Sequence, residues 1–143
     1  MTFRRVEAGL AVIAFLIAGY LTYERHQGQN ALCPIGGGGC ETVAHSSYSK
    51  FAGVPVSYFG MLGALTLLAL CFRSELLFGT LRFVVTGVGA AFSLYLTSLE
   101  ATKINAYCVW CLGSATIWCL LVLVAGTDVW RLAGDSETPV EAT

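Results

Sequence analysis

Apolar and polar positions divide the chain into four long apolar runs with short polar breaks. The first, AGLAVIAFLIAGYLTY (8–23), follows a charged start with Arg4 and Arg5. A signal peptide begins the same way, but no Ala-x-Ala-like site follows Tyr23, so a retained helix over about 6–23 is expected. The second run, SYFGMLGALTLLALCF (57–72), opens just after Pro55, where a helix starts at little cost. The third begins near Leu81 and reaches Ala101, with small residues (Gly87, Gly89, Ala90, Ala91, Ser93) suited to close helix packing. The fourth, CVWCLGSATIWCLLVLVAG (108–126), stays apolar through Ala125, a span of about 28 Å at 1.5 Å per residue. The pattern predicts an all-α integral membrane protein: a four-transmembrane-helix bundle with spans at about 6–23, 56–72, 81–101 and 108–126. Residues 127–143, polar and acidic, are expected to form a disordered cytoplasmic tail.

The long polar stretch is 24–54. Within it, ETVAHSSYSKF can form a short surface helix in the first outer loop, with Val43, Ala44 and Tyr48 on one side. Composition agrees with a lipid environment: 56% of residues are hydrophobic and 12% charged, against about 25% charged in a soluble domain. A net charge of −1 without a basic tract gives no footing for nucleic acid. Four spans place both termini on one side. With termini inside, Arg4, Arg5, Arg73, Arg82 and Arg131 are cytoplasmic, while Arg25, Lys50 and Lys103 are outside, a bias in the expected direction. The expected location is the cell inner or plasma membrane, multi-pass, with the loop and the start of the fourth helix on the outer face.

That face carries the chemistry. Cys108 and Cys111 form a Cys-x-x-Cys at a helix start, where unpaired N–H groups and the helix dipole favour the reactive thiolate. The alternative, half of a zinc site, needs two more ligands, and the histidines are His26 and His45. Cys33 and Cys40 flank Pro34 and the run Gly36–Gly39; these glycines let the two cysteines approach and let Cys33 swing. A static loop staple is the other reading of that pair. Outside is also where disulfides persist. Cys119 lies about 12 Å deeper than Cys111 and Cys71 near the inner end of the second span, beyond the reach of about 7 Å between Cα atoms that a disulfide needs. Both are expected to be buried apolar residues.

The segments CETVAHSSYSKFAGVPVSYFG (40–60) and LTSLEATKINAYCVWCLGSA (96–115) together resemble the vitamin K epoxide reductase (VKOR) family, in its bacterial form. The resemblance rests on the spaced loop pair, Ser46 six residues after Cys40, the Gly53/Pro55/Ser57/Gly60 stretch and the Cys-x-x-Cys of the fourth helix. It covers roughly 8–126 and makes 1–126 a VKOR-like four-helix membrane domain. Such enzymes pass electrons between a thioredoxin-like protein and a membrane quinone. Because many bacterial members carry the thioredoxin-like domain on the same chain, the resemblance implies a separate extracytoplasmic, DsbA-like partner here, and a quinone cofactor (ubiquinone or menaquinone). Vertebrate members have a tyrosine where this chain has Ala115 and an asparagine where it has Val56. Those side chains hold the vitamin K head group, so the departures weigh against epoxide reduction and leave quinone reduction.

The implied mechanism is a thiol–disulfide relay that supports disulfide bond formation. A partner thiolate attacks at Cys33, Cys40 is freed to attack Cys108, and Cys111 is left as thiolate beside the quinone. The four cysteines are the expected catalytic residues. Ser46, Phe51, Ser57 and Phe59 are the expected cofactor-binding residues, with Tyr58 and Trp110 as further pocket candidates. Ser46 can instead cap a helix, His45 can be a solvated loop residue, and the aromatics can be interfacial anchors. Glu100 is expected at the interface, paired with Lys103. The rivals are a DsbB-type oxidase, in which the order of the two cysteine pairs is reversed, a quinone or vitamin K (epoxide) reductase using small dithiols, and a non-enzymatic membrane scaffold with structural disulfides.

Overall fold

The computed structural model describes residues 2–28 and 39–137. It contains α1 (Thr2–His26), α2 (Gly39–His45), a 3-10 turn (Ser47–Ser49), a two-stranded hairpin of β1 (Lys50–Phe51) and β2 (Val54–Pro55), α3 (Val56–Leu70), α4 (Leu76–Leu99), a π-helical turn (Glu100–Ile104) and α5 (Val109–Glu137). Helix α1 packs on α3 and α5, and α4 packs on α5 and α3. Three helices, Thr2–His26, Leu76–Ile104 and Val109–Ser136, are long and apolar enough to cross a membrane; α3 is apolar but shorter.

The bundle is apolar outside as well as inside. Leu16, Leu62, Val88 and Leu123 are each more than half exposed on the outer surface of α1, α3, α4 and α5. Such a continuous apolar exterior matches lipid rather than water. The interior is instead built from small residues. On α1 the inward stripe is Glu7, Ala11, Ala14, Ala18 and Thr22, spaced by three or four residues so that one face is inward. The core joins Ala11, Leu67, Ala90, Trp118 and Leu121. Small side chains let helices come close, and van der Waals contact then supplies the attraction that apolar burial cannot supply in lipid. Trp118 shows this: its ring lies against Gly89 of α4 and Gly63 of α3, where a Cβ would press on it. Of the small residues expected to pack, Gly89 and Ala90 face this ring and the core, while Gly87 faces open space.

At the end of the bundle opposite the cysteine motif, Arg82 is 1% exposed and bridges three helices. Its Nη1 donates to Glu7 Oε2 at 2.7 Å and its Nη2 to Asp128 Oδ2 at 2.6 Å. Arg82, counted from the sequence among the cytoplasmic positive charges, is therefore buried inside the bundle and paired with two carboxylates. The same cluster explains the largest boundary difference. Helix α5 continues to Glu137, so the segment from 127 is not a tail as far as that residue. Asp128 is held by Arg82, Val129 and Leu132 pack beside Gly79, and Arg131 stacks over the Phe3 ring at 4.4 Å. The tail expected over 138–143 lies outside the described residues. Helix α4 begins at Leu76 rather than near Leu81, and α3 ends at Leu70 rather than at residue 72.

The segment between α1 and α3 is tied down at two places. Arg25 Nη2 donates to the Ala44 carbonyl at 3.2 Å and to Ser49 Oγ at 3.0 Å, holding the end of α2 against α1. The hairpin turns at Ala52 and Gly53, both at positive φ (52° and 82°), the handedness that a two-residue turn between twisted strands requires. This turn brings Phe51 back over the start of α3.

Candidate active site

One cavity of about 750 Å³ opens among α1, α2, the hairpin, α3, α4 and α5. Its wall includes Cys40, Ser46, Phe51, Ser57, Phe59, Cys108 and Cys111. The three described cysteines expected to be catalytic and the four expected cofactor-binding residues thus border one space. Cys33 lies outside the described residues. Tyr58 and Trp110 are turned elsewhere, Tyr58 to hydrogen-bond with His26 and Trp110 to pack on the Tyr20 ring at 5.2 Å.

Cys40 is disulfide-bonded and only 3% exposed, whereas Cys71, Cys108, Cys111 and Cys119 carry free thiols. The first turn of α2 sits directly on the backbone before the Cys-x-x-Cys. At Gly39 a Cβ would overlap the Tyr107 carbonyl oxygen, so this approach is open to glycine alone. Cys40 and Cys108 are next in chain to these two touching residues, and both are buried.

Cys108 precedes α5, whose register its carbonyl sets by accepting the Leu112 N–H at 2.9 Å. A hydrogen bond from the Cys111 thiol is the main influence on the Cys108 thiol and pushes it down to about 7, with help from the N–H groups of Cys111 and Trp110; burial and Glu100 oppose it. A thiol in that range is about half thiolate at neutral pH, and the thiolate is the form that attacks disulfides.

Glu100 is the residue the sequence misplaced. It is 2% exposed, and Lys103, its expected partner, is exposed and makes no ion pair with it. The π-helical turn and Asn105, in the left-handed conformation at φ 52°, double the chain back so that Glu100 Oε2 accepts the Cys108 N–H at 3.2 Å. Glu100 borders the same cavity as Cys111. The extra residue of a π turn was the signal needed, and no local sequence pattern marks one. Phe92 was also missed. Its ring meets those of Phe51 and Phe59, at 6.1 and 6.4 Å, to form an aromatic wall. It lies within an ordinary apolar run and carries no mark of its own.

The two hydroxyls on the wall differ. Ser46 Oγ donates to the Val43 carbonyl at 2.7 Å and closes the end of α2, the capping role foreseen as its alternative. Ser57, in the first turn of α3, makes no hydrogen bond to another described residue. Among the described residues no group of three or more His, Cys, Asp or Glu could hold a metal, so the Cys-x-x-Cys has no zinc-site partners there.

The thiol-disulfide oxidoreductase LTO1 of Arabidopsis thaliana is 35% identical over 109 residues, which cover 71% of this chain and 28% of the relative. The chain therefore spans little more than a quarter of that protein's length. The model of the vitamin K epoxide reductase family matches residues 6–125, from the first buried face of α1 to the core of α5. A match over that much of the chain, taking in both cysteine pairs and the cavity between them, makes this protein a member of the vitamin K epoxide reductase family.

Proposed function

We propose that the chain is a quinone-linked membrane thiol oxidase that takes electrons from a separate thioredoxin-like, DsbA-like protein and so drives disulfide formation. The observation that carries the reading is a cavity bordered by Cys40, Cys108 and Cys111, with their chain neighbours Gly39 and Tyr107 in close contact. The name of the Arabidopsis relative, a thiol-disulfide oxidoreductase, supports the same chemistry.

In this reading α1, α3, α4 and α5 all cross the membrane, with the termini and the Arg82 cluster at the cytoplasmic side and the cysteines at the outer side. A partner thiolate attacks the loop disulfide at Cys33, and the bond to Cys40 breaks. Cys40 then attacks Cys108 of the inner disulfide and releases Cys111. The partner's second thiol resolves its bond to Cys33 and leaves as the oxidised partner; the freed Cys33 then attacks Cys40, which restores the loop disulfide and leaves both inner thiols reduced. Two electrons have moved inward.

The cavity fits a quinone as acceptor. Its size is that of small-molecule sites, about 300–1,000 Å³, and its wall is apolar with a few polar groups. Phe51, Phe59 and Phe92 provide flat surfaces for a ring, and Ser57 provides a hydroxyl without another described partner. Ser46 can offer its oxygen while its proton stays on Val43. A bound quinone (ubiquinone or menaquinone) supplies the sink for two electrons and two protons.

Trapping tests the order. Cys33→Ala removes the loop partner of Cys40, so a Cys40–Cys108 bridge should accumulate with Cys111 reduced, seen by non-reducing peptide mapping. Oxidation of a protein partner should fail, while dithiothreitol, which can approach the inner pair directly, still supports turnover. Cys111→Ala should fail with both donors. A Cys40–Cys111 bridge would reverse the inner roles, and full quinone reduction by Cys111→Ala would end the reading.

A further inference from the structure

Glu100 Oε2 accepts the Cys108 N–H at 3.2 Å, and Glu100, Cys108 and Cys111 border one cavity, which puts a carboxylate at the inner pair. We propose that Glu100 is a catalytic residue of the inner pair, the base that takes the Cys111 proton as that dithiol is oxidised. The proposal rests on the quinone-linked reading above and assigns it the proton step.

Three observations carry it. First, Glu100 is 2% exposed yet has no cation beside it: the ion pairs among the described residues both belong to Arg82, at the other end of the bundle. Burying a carboxylate without a counter-charge costs several kcal/mol, on the order of the effective penalty per ion in proteins. A merely structural acceptor for the Cys108 N–H could be an uncharged amide. Second, the turn that carries Glu100 is fixed, because its carbonyl accepts the N–H groups of both Asn105 and Ala106, while its Oε2 is held by the Cys108 N–H. Third, Glu100 borders the same cavity as Cys111, so a proton placed on it stays next to the acceptor. The other ionisable groups on that wall are Glu24 and Arg25 of α1, His45 of α2 and Tyr48 of the 3-10 turn, together with the cysteines.

The balance closes. With Cys108 ionised and Cys111 protonated, oxidation breaks the Cys111 S–H bond and forms the Cys108–Cys111 bond. Two electrons pass to the quinone, and the Cys111 proton goes through Glu100 to one quinol oxygen. The second quinol proton comes from water and replaces the one Cys108 lost on ionising. Glu100 ends ionised, as it began.

Glu100→Gln separates this role from a scaffold role, because glutamine can still accept the Cys108 N–H but cannot take a proton. The full-length protein in detergent is reduced, then mixed with a water-soluble prenylated benzoquinone while the inner dithiol is followed by rapid thiol labelling. Oxidation of Cys108/Cys111 should slow on the order of 10²-fold in Glu100→Gln, the usual worth of a general base. Glu100→Asp should retain part of the rate, and Glu100→Ala should regain rate with added formate in proportion to its concentration. Infrared spectra of the reduced protein give a readout without quinone. The S–H stretch that Cys111→Ala removes should move to higher frequency in Glu100→Gln, since an amide oxygen is the weaker acceptor. A folded Glu100→Gln protein that matches wild type in oxidation rate, or an S–H band that does not move, overturns the assignment. A wild-type dithiol that quinone never oxidises overturns the functional reading instead, and the infrared band then still scores the contact.

Discussion

Substituting Gly39 by alanine tests the relay at its narrowest point. Gly39 is not at positive φ, so an alanine there meets no backbone strain and acts by volume alone. The new Cβ would overlap the Tyr107 carbonyl oxygen and lie 3.2 Å from its carbonyl carbon. Restoring ordinary van der Waals contact requires α2 to back away by about 1 Å. The far end of this seven-residue helix is anchored through Ala44 and Ser49 to Arg25, so the helix pivots and its first turn moves most. Cys40 is in that turn. A displacement of about 1 Å at reacting groups can cost on the order of 10²-fold in rate. The assay compares two donors on the purified protein with quinone present: a thioredoxin-like protein, whose electrons must pass from Cys40 to Cys108, and dithiothreitol, which reduces Cys108–Cys111 directly. Gly39→Ala should lose about two orders of magnitude with the protein donor and little with dithiothreitol. Equal rates for variant and wild type with the protein donor, at unchanged thermal stability, would refute the claim that this contact sets the relay distance.

Other outcomes follow from the same geometry. In the reduced protein, alkylation of Cys108 should rise with a midpoint near pH 7, because its thiolate is favoured by the Cys111 hydrogen bond; below that pH it is protonated and slow. Cys111→Ala removes the main lowering influence and leaves burial and Glu100, so the midpoint should move up, as pH-dependent iodoacetamide labelling can read. Arg82→Met strands Glu7 and Asp128 without their cation and should destabilise the bundle by about 3–5 kcal/mol, measured by thermal unfolding in detergent; an unaltered melting temperature would count against the bridge. Gly89→Ala should push the Trp118 ring out of its slot and lower stability by about 1–3 kcal/mol through overpacking, with a change in tryptophan fluorescence.

What the sequence determined by itself was whatever is written locally. Hydropathy marked four apolar runs, because a helix in lipid must be apolar along its whole length, and this is visible in any window of the chain. The Cys-x-x-Cys and the loop pair were legible for the same reason: their chemistry depends on spacing and on the glycines beside them. Charge signs were legible, but their places were not. Arg82, Glu7 and Asp128 read as residues of charged helix ends and a tail, and only packing joins side chains 75 and 46 positions apart into one buried cluster. That cluster, not helix propensity, carries α5 past the point where hydropathy falls. Glu100 and Lys103 read as a surface pair. A π turn rotates one of them inward onto the cysteines, and such a rotation arises from how α4 meets α5. The contact of Gly39 with Tyr107 likewise belongs to no local pattern, because a missing side chain acquires meaning only from the atom that occupies its place. Tertiary structure decided these points: each is an encounter between distant segments, where close packing allows one arrangement and a buried charge requires a partner.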